Sequence, residues 1–229
     1  MTIPKLRRTG FVLATLGVLS VLVLHVLVFF WVPTEASQGI IQRIFYIHVP
    51  AAIVAFLAFG IVAVCGALYL WLHDERLDQA AVSAAEGGMV FTTVVLLTGT
   101  LWGKIAWGTY WTWEPRLTLT LLLWFIFLGY FLVRASTENP ERGKRFSAVV
   151  GIVGALDIPL IHLSVLWFRS LHPGPVVFAA SGPSLAPPMS ITLGVGFLSM
   201  LLVFLGIFAF RFALEMATRE AAIRARANA

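Results

Sequence analysis

The chain has 229 residues, of which 59% are hydrophobic and only 12% are charged. Soluble domains are about one-quarter charged, so this composition, with a mean hydropathy of +0.91, excludes an ordinary soluble protein and a disordered one. The net charge of +5 does not indicate a nucleic-acid partner, because the basic residues flank apolar runs and form no stripe. The single cysteine, Cys65, excludes an internal disulfide and a C-x-x-C-H motif. The composition therefore predicts an all-α protein surrounded by membrane lipid.

Six apolar runs reach the length of about 20 residues that a helix needs to cross a bilayer. They occupy residues 10–31, 48–72, 84–105, 116–133, 147–168 and 188–210. The first run follows three basic residues but is longer than a signal-peptide core and lacks a clear cleavage site, so we interpret it as a retained signal-anchor helix. Residues 1–229 are thus predicted to form one polytopic bundle of six transmembrane helices.

The distribution of Lys and Arg predicts how the bundle is oriented. With the N-terminus in the cytoplasm, 12 of the 16 basic residues fall on the cytoplasmic side. The other 4 fall on the outer side; they are Arg43, Lys104, Arg116 and Arg169. Because cytoplasmic loops carry the excess of positive charge, both termini are predicted to be cytoplasmic. Residues 32–47, 106–115 and 169–187 then form the outer loops. No Walker-type motif occurs, so the chain is not expected to hydrolyse nucleotides itself.

Tryptophan is concentrated in the second outer loop. Four of the eight tryptophans lie within twelve positions: Trp102, Trp107, Trp111 and Trp113. An aromatic belt at the membrane interface is one interpretation, although a belt needs fewer rings at each helix end. The other is a platform for a large planar ligand. If 107–114 is helical, its spacing puts Trp107, Tyr110, Trp111 and Glu114 on one flat face. Glu114 has a structural alternative, as an acid near the positive end of the fourth helix.

Two of the five histidines are predicted to lie at the outer face. His48 begins the second span and His172 follows the fifth, and each stands close to a proline. Two neutral imidazoles from two helix ends could bind both axial positions of a haem iron, with the outer cations, Arg116 among them, near its propionates. Interfacial hydrogen bonding is the alternative that the residues leave open. A zinc site is less favoured because no thiolate is near.

Three polar residues lie inside predicted spans. His25 is expected to be a satisfied interhelical histidine. Asp157 should face protein or water, because burying an unpaired acid in lipid is costly. His162, five residues further on, is a plausible partner for Asp157, and a polar tie between helices is the preferred interpretation of the pair.

Four motifs in this order resemble the cytochrome c maturation CcmC family, the haem exporter protein C group of WWD-domain proteins. They are the Tyr46–Ala52 segment around His48, the tryptophan run 107–118, the segment 156–164, and Leu171-His172-Pro-Gly-Pro. The tryptophan run is similar to the family signature W-G-x-x-W-x-W-D. The resemblance covers essentially the whole chain.

This resemblance implies a non-enzymatic role in c-type cytochrome biogenesis in the bacterial inner membrane. Family members hold haem b, without a covalent bond, at the outer (periplasmic) face. They work with the ABC transporter subunits CcmA and CcmB and the small membrane subunit CcmD, and they load the haem chaperone CcmE. By motif, His48 and His172 would be the axial ligands, and Trp107, Trp111 and Trp113 would form the haem platform.

Two positions depart from the family pattern. Glu114 replaces the usual Asp of the signature, which adds one methylene and keeps the charge, and Tyr110 stands where some members have tryptophan. CcsA-like proteins, which ligate haem directly to apocytochrome, also carry tryptophan-rich loops and provide the alternative function. The six spans and the Arg116-Leu-Thr continuation favour CcmC over CcsA.

Overall fold

The structure is a computed structural model that describes residues 2–168, 171–172 and 185–228. Within these ranges it contains α-helices, one 3-10 helix at Ile40–Ile44, and no β-strand. The α-helices are α1 (Ile3–Phe30), α2 (Phe45–Leu72), α3 (Glu75–Trp107), α4 (Pro115–Ser136), α5 (Pro140–Ala155), α6 (Asp157–Trp167) and α7 (Pro187–Ala227). The predicted all-α class is confirmed.

Six helical segments in the described ranges are long and apolar enough to cross a membrane, as predicted. Helices α5 and α6 together form the fifth, because only Leu156 separates them. Several helices run beyond the predicted spans: α3 begins at Glu75 and α7 continues to Ala227. Hydropathy marks the apolar centre of a helix, whereas its backbone hydrogen bonds continue through polar residues on either side.

The predicted outer loop 32–47 is partly helical. The 3-10 helix leads directly into α2, so His48 lies in the first turn of α2 rather than at its start. In the remaining loop, the Glu35 carboxylate accepts hydrogen bonds from the backbone N–H groups of Gln38 and Ser37, at 2.5 and 2.9 Å. These hydrogen bonds lower the pKa of Glu35. Of the predicted third outer loop, 169–187, residues 169–170 and 173–184 lie outside the described residues, and Arg169 is among them.

Glycines bring α1 and α7 into close contact. A Cβ atom on Gly17 would lie 2.7 Å from the backbone nitrogen of Val203, and one on Gly206 would lie 2.6 Å from that of Ala14. Small residues permit this close approach of the two backbones. Close packing matters here because lipid supplies no hydrophobic driving force for helix association. In the centre of the bundle, Phe59 of α2 stacks on Phe127 of α4 with ring centroids 3.7 Å apart.

Ion pairs link α3 to three other helices at one end of the bundle. They join Asp78 to Arg134 of α4, Glu75 to Lys144 of α5, and Glu86 to Arg211 of α7. The Asp78–Arg134 pair is bidentate, at 2.6 and 2.5 Å, and the Asp78 side chain is 4% exposed. These pairs fix the helices at the end that the charge pattern predicts to be cytoplasmic. That orientation stays a prediction.

The predicted Asp157–His162 pair does not form. Asp157 is buried at the first turn of α6, and its Oδ2 has no hydrogen-bond partner among the described residues. His162 is exposed on the far side of the same short helix. The break at Leu156 starts a new helix at Asp157, and residues five apart do not share a helix face. His25 hydrogen-bonds the Val21 carbonyl of its own helix, at 2.7 Å, so it does not tie two helices.

Candidate functional site

The predicted site residues gather at the opposite end of the bundle from the ion pairs. Here α1 and α3 end and α2 and α4 begin, and His172 follows α6. We call this the histidine end. Trp102 of α3 hydrogen-bonds Gln38 of the first loop through its indole N–H, at 3.0 Å. The elements at this end are therefore in direct contact.

The His48 side chain packs against three residues of α3. Its Nδ1 lies 2.9 Å from the Thr98 hydroxyl. Gly99 leaves room for the ring, because a Cβ at that position would lie 3.2 Å from His48 Cε1. Trp102 meets the imidazole edge to face, with centroids 5.8 Å apart and planes at 88°. His48 is therefore partly buried and held from one side of its ring.

His172 is held by a cation from α4. Arg116 Nη1 lies 2.9 Å from His172 Nδ1. Arg116 follows Pro115 in the first turn of α4, so this contact joins the beginning of α4 to His172. His48 is within electrostatic reach of both His172 and Arg116. The structure thus brings both predicted histidines and Arg116 into one neighbourhood.

The helical tryptophan face considered for 107–114 does not form. Helix α3 ends at Trp107, because Gly108 adopts the left-handed conformation with φ of +80°. Residues 108–114 are not helical, and Glu114 is extended before Pro115, as residues preceding proline usually are. Trp107 folds back on its own helix, where Gly103 leaves space for the indole.

Trp111 and Trp113 form an angled pair instead of a flat face. Their ring centroids are 5.7 Å apart and their planes cross at 81°. Trp113 is 77% exposed, whereas Trp111 is partly buried. The Trp111 Nε1–H and the Thr112 hydroxyl are buried without a hydrogen-bond partner among the described residues. A buried donor of this kind is costly unless an acceptor reaches it, so the loop is suited to a ligand with acceptor groups.

The remaining predicted residues line the same loop. Glu114 is buried and caps the start of α4, where its backbone carbonyl accepts hydrogen bonds from Thr118 N–H and hydroxyl at 3.0 and 2.9 Å. Tyr110 is exposed, and Lys104 lies over its ring at 5.2 Å. Arg43 lies over the Phe29 ring. Of the outer cations described, Arg116 alone contacts a predicted ligand histidine.

The contacts of His48 with α3 were not predicted. Thr98 and Gly99 lie inside the apolar run of the third span and resemble ordinary transmembrane residues, and Trp102 was noted only as one of the clustered tryptophans. A partial signal existed: Thr98 and Trp102 are four residues apart, so they share a face of α3. Nothing in the sequence alone paired that face with His48.

Comparison with known proteins identifies the family. The model of the CcmC family, described as heme exporter protein C, matches residues 4–227. A Bradyrhizobium diazoefficiens heme exporter protein C is 37% identical over 173 residues, which are 75% of this chain and 65% of that protein. The Haemophilus influenzae protein of the same name is 31% identical over 82% of this chain and 77% of its own length. The Escherichia coli K12 protein is 34% identical over 75% of this chain and 71% of its own length. The chain therefore belongs to the heme exporter protein C (CcmC) family.

Proposed function

We propose that this protein binds haem b non-covalently at the histidine end, between His48 and His172, and delivers it for c-type cytochrome assembly. One observation carries the proposal. The Thr98 contact occupies Nδ1 of His48 and leaves Nε2 available as an iron ligand, with His172 in the same neighbourhood. Neutral imidazole nitrogen is a common axial ligand of haem iron.

The surrounding loop fits the rest of a haem molecule. Trp113 offers exposed aromatic area for the apolar macrocycle, and burying such area is worth about 25 cal/mol per Å². The Trp111 N–H, which has no partner among the described residues, is a donor suited to a propionate carboxylate. Arg116, which contacts His172, suits the second propionate. Bound haem supplies the iron and the anionic groups, and these side chains hold and orient them.

The exposure of the loop supports delivery rather than storage. Trp113 and Tyr110 are 77% and 58% exposed, so a partner can reach the ligand directly. We propose that the acceptor is the haem chaperone CcmE, and that CcmA, CcmB and CcmD are membrane partners. In this scheme the protein lies in the bacterial inner membrane with the site on the periplasmic face. It forms no covalent bond itself, and a partner drives release by favouring a low-affinity state.

A transfer assay tests this function. Detergent-purified protein loaded with haem is mixed with haem-free CcmE, and the haem content of each is measured after separation. Wild type should lose haem to CcmE, whereas His48→Ala and His172→Ala should retain less haem and transfer less. His73→Asn is the matched control, because His73 lies exposed at the other end with φ of +55°, which Asn tolerates.

The same assay separates delivery from ligation. Covalent cytochrome formed from a C-x-x-C-H apoprotein without CcmE would favour the CcsA-like function. Equal haem content in wild type and both histidine variants would refute the site.

A further inference from the structure

We propose that the two histidines bind iron in a fixed order, with His48 first and His172 second. Thr98 holds His48 in the tautomer that can bind iron, and Arg116 holds His172 in the one that cannot. Thr98 and Arg116 are thus positioning residues. This inference rests on the proposed function, and it concerns the protons of the haem-free protein.

The Thr98 hydroxyl fixes the proton on His48. Thr98 Oγ1 lies 2.7 Å from the Val94 carbonyl oxygen, which can only accept a hydrogen bond, so the hydroxyl proton is donated there. The same oxygen lies 2.9 Å from His48 Nδ1 and must therefore accept. Neutral His48 then carries its proton on Nδ1 and has a lone pair on Nε2. A histidine ligand oriented by its other ring nitrogen is the usual arrangement in metal sites.

Arg116 fixes the opposite tautomer on His172. A guanidinium has donors and no acceptor, so His172 Nδ1 must accept the 2.9 Å hydrogen bond from Arg116 Nη1. Neutral His172 therefore carries its proton on Nε2. Neither nitrogen can bind iron in this state, because Nδ1 is covered by Arg116 and Nε2 is protonated. For Nε2 to bind iron, Arg116 must leave and the proton must move to Nδ1.

The difference in tautomer between His48 and His172 determines which of them binds the haem iron first. His48 needs no rearrangement, whereas His172 binds only when Arg116 is displaced. Glu114, two residues away, interacts electrostatically with Arg116, and a propionate would attract the released guanidinium in the same way. Ligation by His172 is thus coupled to a contact between Arg116 and an anion. Release follows the reverse path, because Arg116 competes with iron for His172.

Nitrogen NMR of haem-free protein tests this inference. The protein is labelled with ¹⁵N at histidine only, and the pair of ring-nitrogen signals from each of the five histidines is assigned with single His→Asn variants. At a pH well above the ordinary histidine pKa of about 6.5, the rings are neutral and each tautomer has a distinct spectrum. We expect His48 to be protonated on Nδ1 and His172 on Nε2.

Variants of Thr98 and Arg116 test whether these two residues fix the histidine tautomers. Thr98→Val should give mixed tautomers at His48, and Thr98→Ser should restore the Nδ1 proton. Thr100→Val is the matched control, because within the described residues Thr100 hydrogen-bonds the Leu97 carbonyl of its own helix and no histidine. Arg116→Met should give mixed tautomers at His172 and leave His48 unchanged. Thr98→Val should also weaken haem binding about tenfold, as is typical when a metal ligand loses its outer hydrogen-bond partner.

Rapid mixing with haemin then tests the order directly. His172→Ala should keep the wild-type association rate and form a five-coordinate complex, whereas His48→Ala should lose most of that rate. An Nε2 proton on His48, an Nδ1 proton on His172, or equal loss of rate in the two alanine variants would overturn the proposal. Correct tautomers in a protein that takes up no haem would instead count against the proposed function alone.

Discussion

Gly99→Ala should weaken haem binding while leaving the fold intact. The added Cβ would lie 3.2 Å from His48 Cε1 and 3.8 Å from Nδ1. Carbon atoms pack best at about 3.5–4.0 Å, so the imidazole must move by at least ~0.3 Å, away from α3 and from Thr98. Overpacking of this kind costs about 1–3 kcal/mol, which corresponds to a roughly 5- to 150-fold loss of affinity if it acts on the bound geometry.

The same substitution should not lower stability. Alanine is favoured over glycine in a helix by about 1 kcal/mol, so any strain at His48 is opposed by the gain in α3. Haemin titration followed by absorbance gives the affinity, and thermal unfolding in the same detergent gives the stability. Gly60→Ala is the control, because a Cβ there would meet no atom within 4 Å. Wild-type haem affinity in Gly99→Ala would refute the close packing of His48 against α3.

Three further outcomes are expected. Asp78→Ala should lower stability by about 3 kcal/mol, because it leaves the partly buried Arg134 without its carboxylate partner, and thermal unfolding of a variant with both residues changed to leucine should show recovery. Gly206→Leu should separate α1 from α7, detected as faster proteolysis of the N-terminal helix; an unchanged digestion pattern would contradict the packing. Trp113→Ala should weaken haemin binding without changing the melting temperature, whereas Trp71→Ala, equally exposed at 76%, should change neither.

The sequence was sufficient for the number of spans, and it named site residues that the structure places near one another. Long apolar runs have one stable solution in lipid, a helix with all its backbone hydrogen bonds made internally, so composition predicts the six spans. His48, His172 and Arg116 were identified from their places at predicted helix ends and from the family motifs. The structure places them near one another, and their role as a haem site stays a prediction.

The local geometry of the tryptophan loop could not be predicted in the same way. A helical spacing of Trp107, Tyr110 and Trp111 is meaningful only if the backbone stays helical, and Gly108 ends the helix first. The Thr98 contact was also missed, because a hydroxyl in an apolar helix usually bonds its own backbone. Thr98 does so as well, and its second hydrogen bond depends on how α2 and α3 pack.

The central claim is that two histidines at one end of the bundle hold haem iron. The most direct test is a reduced-minus-oxidised optical spectrum of purified protein, produced in membranes that contain haem and compared with a His48→Ala/His172→Ala double variant. Low-spin b-type bands are expected in the wild type and should be lost in the folded double variant. Identical bands in the two proteins, or a haem-free wild type, would contradict it.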